Sequence, residues 1–235
     1  MKRRSFVLGA LASTFIGCTK TRTVVKSVHG GVECLELVPT EPDPALPLLV
    51  ALHANGGAAE HWVDAFTKFP GRVRVILPRS FTPGGWFARS APLDLANDQL
   101  AAEVEAAEKR LAIGLLALSP SRPIAVCGYA EGAMLSLVLA RRVTMVLGAF
   151  SVAGACPRAL LPKAAAAPVV AYHGGADDFL RIDAARVTIA AFKAAGGPAV
   201  LREYPGVAHD PSDAMHNDLN ADIVKALEAG RSPTG

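Results

Sequence analysis

Apolar runs rich in β-branched residues alternate with stretches whose apolar positions recur at helical spacing along most of this chain. The runs predict strands over Thr23–Ser27, Glu33–Val38, Leu48–His53, Val73–Leu77, Ile124–Cys127, Leu147–Val152, Val169–His173 and Val200–Tyr204. The helical spacing predicts helices over Ala58–Lys68, Ala96–Leu118, Ala130–Arg142, Asp183–Ala195 and Ser212–Ala229. The middle strands are almost continuously apolar, as parallel strands covered on both faces must be. The first two strands have no helix between them and predict an antiparallel edge. The expected fold class is therefore α/β: one doubly wound, mostly parallel sheet of about eight strands. Only 15 residues, Ala153–Ala167, separate the sixth and seventh strands, which leaves no room for a lid domain.

The first 17 residues break this pattern and read as an export signal, with residues 18–235 forming a single domain. Lys2, Arg3 and Arg4 make a basic start, and Phe6 to Ile16 make an apolar stretch of 11 residues, too short to span a bilayer. Arg3-Arg4-Ser5-Phe6-Val7 resembles the twin-arginine export motif. Phe15-Ile16-Gly17-Cys18 resembles a bacterial lipobox, which would make Cys18 the lipidated first residue and tether the protein to a membrane. Composition agrees with a globular body, since 51% of residues are hydrophobic and 19% charged. The formal net charge of +3 comes entirely from the three basic residues of the signal, so there is no electrostatic case for a nucleic-acid partner. Cys34, Cys127 and Cys156 remain; none has metal-ligand spacing and no cofactor is implied. A Cys34–Cys156 bridge is compatible with an oxidising compartment.

Chemistry concentrates at the ends of the predicted strands. Val126-Cys127-Gly128-Tyr129-Ala130-Glu131-Gly132-Ala133 joins a strand to a helix with the glycine spacing of a G-x-S-x-G nucleophile elbow. The serine position holds Ala130. His53-Ala54-Asn55-Gly56-Gly57 follows the third strand, His173-Gly174-Gly175-Ala176-Asp177-Asp178 ends the seventh, and Tyr204-Pro205-Gly206-Val207-Ala208-His209 follows the eighth. Gly84-Gly85-Trp86-Phe87 follows the fourth.

Together these motifs resemble the α/β-hydrolases, most closely their small, lidless carboxylesterase, phospholipase and polyhydroxyalkanoate-depolymerase-like members. The resemblance runs from about Val24 to the C-terminal helix. It implies Ala130 at the nucleophile position, Asp177 as the triad acid and His209 as the catalytic histidine, in the chain order the fold uses. It also implies an oxyanion hole from the backbone N–H groups of Asn55 and Glu131. Ala54 replaces a glycine of the oxyanion loop, placing a methyl group in a turn that usually carries none. Trp86 and Phe87 read either as the wall of an acyl pocket or as an aromatic plug under a Pro-rich loop. His173 reads as a strand-end structural residue, and His29, His61 and His216 as surface residues.

Acyl transfer on this fold needs a hydroxyl or thiol to attack the carbonyl, and a methyl group cannot. Ser136, Ser151 and Cys127 do not stand where a nucleophile is needed. The sequence leaves three readings open: an exported pseudoenzyme that keeps the Asp-His pair and pocket, a carboxylic ester hydrolase seen as a serine-to-alanine variant, and a non-catalytic ligand-binding lipoprotein. In each, the partner is a small ester or acyl-type ligand. Water activated directly by His209 is a further route.

Overall fold

The computed structural model describes residues 22–41, 43, 45–88, 93–119, 124–142 and 144–230. The export signal, Cys18 and the polar tail 231–235 lie outside the described residues. Eight strands form one sheet: β1 (Arg22–His29), β2 (Val32–Pro39), β3 (Leu48–Leu52), β4 (Arg74–Pro78), β5 (Ile124–Tyr129), β6 (Val146–Val152), β7 (Val169–Gly174) and β8 (Ala199–Tyr204). Their spatial order is β1-β2-β4-β3-β5-β6-β7-β8. The β1–β2 and β2–β4 pairs are antiparallel and every other pair is parallel, which is the architecture the sequence pattern predicts.

The period-2 geometry of a strand explains why the central runs are apolar throughout. In β3, Leu48, Val50 and Leu52 face one core while Leu49 and Ala51 face the other. The first core is closed by α2 (Asp98–Leu118), α3 (Glu131–Leu139) and α4 (Ile182–Ala194). The second is closed by α1 (Val63–Thr67) and α5 (Asp213–Ala229). Asn97 caps α2 by accepting from the N–H groups of Gln99 and Leu100, and Ser212 caps α5 through Met215. Between β6 and β7 only a three-residue 3-10 turn intervenes, so nothing in that connection covers the strand ends. Among the described residues no helix is long and apolar enough to cross a membrane.

Several helix ends lie one to three residues from expectation, and two differences stand out. The stretch expected as one helix over Ala58–Lys68 is a 3-10 turn, Ala59–Trp62, followed by the five-residue α1. The helix expected from Ala130 starts one residue later, because Ala130 itself turns the chain. His29 is also more than a surface residue: its Nε2 lies 2.6 Å from the buried carboxylate of Glu36, which Arg74 also engages. Cys34, Cys127 and Cys156 are free thiols, so the compatible bridge does not form.

Candidate active site

Parallel strands leave their C-terminal ends in one row, and the loops that follow them build the site. At the end of β5, Ala130 has φ 51° and ψ −108°, a conformation an L-residue adopts at a cost of about 1–3 kcal/mol. Its N–H donates to the Val152 carbonyl at 3.0 Å, and its own carbonyl accepts from Met134 N at 3.0 Å, the first bond of α3. The flanking glycines make this turn possible. A Cβ on Gly132 would stand 2.0 Å from the Leu52 carbonyl oxygen, and one on Gly128 would stand 2.2 Å from the Gly132 backbone. The start of α3 is pressed directly against the end of β3.

At the end of β7, Asp177 is fully buried and accepts from three protein groups on two oxygens. Oδ1 accepts from Phe179 N at 3.0 Å and Leu180 N at 2.9 Å, while Oδ2 lies 2.8 Å from His209 Nδ1. A carboxylate only accepts, so His209 donates from Nδ1 to Asp177. Gly175 N to Tyr204 O (2.8 Å) and Ala176 N to Val207 O (2.9 Å) tie the acid turn to the histidine loop.

Two aromatic rings flank His209, with centroids 5.4 Å (Tyr129) and 4.8 Å (Phe179) from its own. Tyr129 immediately precedes Ala130, so the acid–histidine pair stands beside the elbow. Burial, then the charge of Asp210, pushes the Tyr129 hydroxyl up. It therefore stays protonated and lies within donating distance of the His209 carbonyl and the Asp210 carboxylate.

His173 contributes more than strand-end packing. Fully buried, its Nε2 lies 2.7 Å from the Leu180 carbonyl and 3.3 Å from Asp177 Oδ2. Burial depresses its basicity, and the neutral ring donates from Nε2 toward the acid turn. The sequence gives no signal for this second histidine on the same carboxylate beyond the four-residue spacing of His173 and Asp177.

The side chain of Glu131 is a second feature that the motif does not predict. It is buried, and its Oε2 accepts from Trp86 N at 3.3 Å. A Cβ on Gly85 would meet Asn55 Oδ1 at 3.1 Å and Glu131 Oε2 at 3.2 Å, so those two side chains converge on one spot. Trp86 also donates from Nε1 to the His53 carbonyl at 2.7 Å. This latch resolves the open alternative for the aromatic pair: Trp86 and Phe87 are core residues, 1% and 6% exposed, and act as a plug. Ala54 strains nothing, because the only non-glycine residues with positive φ among those described are Ala130 and Ala153; Gly56, at φ 74°, takes the tight position of that loop.

Among the described residues, the thiol and hydroxyls that the sequence singles out near the elbow are buried. Cys127 is 1% exposed on the face toward α1 and α5, and burial pushes its thiol up. Ser136 is fully buried and donates to the Ala133 carbonyl, and Ser151 is likewise fully buried.

Comparisons with known proteins support the fold. Residues 88–223, more than half the chain, match the dienelactone hydrolase family. The fold is similar to that of TT1662 from Thermus thermophilus, at TM-score 0.70 and 16% identity, covering 88% of this chain and 99% of that one. It is also similar to acyl-protein thioesterase 2 of Zea mays, at TM-score 0.67 and 19% identity, covering 83% and 98%. The Bacillus cereus carboxylesterase matches at TM-score 0.67 and 17% identity, covering 85% and 93%. No match was found among curated proteins.

Proposed function

From the premise that this chain belongs to the dienelactone hydrolase family, we propose that it is an exported, hydrolase-fold pseudoenzyme. It binds a small ester or acyl-type ligand at the ends of β5, β7 and β8 without forming a covalent acyl intermediate. The observation that carries this reading is the pairing of a strained elbow at Ala130 with an intact 2.8 Å Asp177–His209 hydrogen bond. The first is the backbone geometry that exposes a nucleophile, and the second is the machinery that would activate one. Only the attacking atom is replaced. In a serine protease, removing the nucleophile costs roughly a millionfold in turnover.

The test uses short p-nitrophenyl esters and a fluorophosphonate probe. The natural chain is expected to give no adduct and no burst, and Ala130→Ser to gain both. His209→Ala placed on Ala130→Ser is expected to abolish the gain. Rapid ester turnover by the natural chain, lost in His209→Ala, would overturn the reading in favour of direct water activation.

Export by the twin-arginine route and lipidation of Cys18 belong to the same proposal and place the protein on the outer side of the cytoplasmic membrane or in the periplasm. Radiolabelled fatty acid should be incorporated by the natural chain and lost in Cys18→Ala. Absence of label in the natural chain rules out the anchor.

A further inference from the structure

β1 is one edge of the sheet and pairs with β2 alone, so the backbone groups on its outer side have no strand partner. Three valines on it are exposed: Val24 by 49%, Val25 by 47% and Val28 by 64%. Successive side chains alternate across a strand. The register sets Val24, Lys26 and Val28 opposite Leu37, Leu35 and Glu33 on one face, and Val25 opposite Glu36 on the other. Apolar side chains therefore stand on both faces of this edge, with a lysine between two of them. The opposite edge is different in kind: β8 exposes Val200 but carries Arg202 and Glu203, paired with Asp222 and Arg186.

β1 also follows directly on the segment that reads as an export signal. Three residues, Thr19, Lys20 and Thr21, separate Cys18 from Arg22. Four residue steps reach no more than about 14 Å. Arg22 in turn is clamped to the body, its guanidinium donating to the carbonyls of Phe66, Thr67, Phe69 and Gly71. A lipid on Cys18 would therefore hold the start of β1 close to the bilayer surface.

Lys26 discriminates between the two surfaces that could cover such an edge. The antiparallel register that sets Val24 opposite Val28 of a second copy also sets Lys26 opposite Lys26, and like charges directly opposite destabilise a strand pair. Toward an anionic bilayer the same residue is favourable, because its ammonium reaches lipid phosphates while its stem lies along the flanking valines. Glu33, the exposed acid opposite Val28, lies 3.9 Å from Arg79.

We propose that β1 is a membrane-docking edge: Val24, Val25 and Val28 enter the headgroup layer of an anionic phospholipid bilayer, and Lys26 contacts its phosphates. The inference rests on the Cys18 anchor for what brings β1 to a membrane, whereas the apolar edge is read from the fold. Docking fixes an orientation that a tether alone leaves open. In the sheet order β5 is four strands from β1, with β7 and β8 farther still. At a strand spacing of about 4.8 Å, the elbow stands roughly 20 Å from the docked edge, and His209 stays clear of lipid.

The test couples the mature, unacylated protein through Cys18 to vesicles of phosphatidylglycerol bearing a maleimide lipid, which removes any dependence on acylation in the cell. Cys34, Cys127 and Cys156 are buried, which leaves Cys18 as the reactive thiol. Amide hydrogen exchange is read in β1 and, as the other exposed edge, in β8; the same protein capped with N-ethylmaleimide is the reference. Exchange in β1 is expected to slow about fivefold on the vesicles, with β8 unchanged. Val24→Thr, Val25→Thr and Val28→Thr together keep the branched shape of exposed side chains and should abolish the slowing, with urea unfolding confirming the fold. Lys26→Gln should weaken it about twofold. No slowing, equal slowing in β1 and β8, or slowing that survives the three valine substitutions overturns the proposal. Slowing in the capped protein that grows with its concentration assigns the edge to a second copy and also overturns it. Slowing on the vesicles without fatty acid on Cys18 in cells refutes the anchor and upholds the docking edge.

Discussion

At the end of β7 the acid and histidine are fixed by hydrogen bonds, whereas at the end of β5 the elbow is fixed by backbone pressed against backbone. Asp177 holds its place because Phe179 N, Leu180 N and His209 Nδ1 all donate to it. Ala130 holds its strained φ because Gly128 and Gly132 let α3 seat on the Leu52 carbonyl. The two mechanisms respond differently to loss of chemistry. Hydrogen bonds disappear with the side chain that makes them. A packing-imposed turn persists when its side chain changes, since nothing that shapes it involves the Oγ of a serine. That is why a residue with no hydroxyl can hold the strained position at the end of β5 with the turn around it intact.

The sharpest way to break this contrast is Gly132→Val. With a Cβ 2.0 Å from a main-chain oxygen, the helix start must move, and a loss of about 3 kcal/mol or more is expected in urea unfolding. A loss below about 1 kcal/mol would mean that backbone contact does not set the elbow. Asp177→Ala should cost less, about 2 kcal/mol, by leaving donors unmatched. Asp177→Asn should recover part of that, because its carbonyl oxygen can still accept from Phe179 N and Leu180 N. If the two substitutions are equally damaging, hydrogen bonding is not what holds the acid turn. The smallest effect belongs to Ala130→Gly. It relieves strain at positive φ but adds freedom to the unfolded chain, so the net gain should be about 0.5 kcal/mol. A loss greater than about 1 kcal/mol would show that the methyl group, and not the turn, contributes to the packing.

Much of this was legible in the chain. All eight strands were readable because parallel strands buried on both faces need continuous apolar runs. Asp177 and His209 were readable through the motifs around them, and the structure joins them directly. The split of the Ala58–Lys68 region was not, since its spacing suits one helix and only tertiary packing shortens it. Nor was the fate of Trp86 and Phe87: an aromatic pair after a strand looks alike as pocket wall or plug until its N–H partners are known. The side-chain link from Glu131 to Trp86, and the approach of His173 to Asp177, join residues whose relation no local pattern reveals.

The sequence by itself determined the sheet, the order of the loops at its carboxyl ends and the absence of a hydroxyl at position 130, because periodicity and residue identity are local properties. The tertiary structure alone decided that the elbow stays strained around a methyl group, that Ala54 costs nothing, and that Trp86 is buried with its indole N–H on the His53 carbonyl. Each of those depends on which distant backbone or side chain comes to lie within a few ångströms, and burial together with a partner for the buried N–H exists only once the chain has closed on itself.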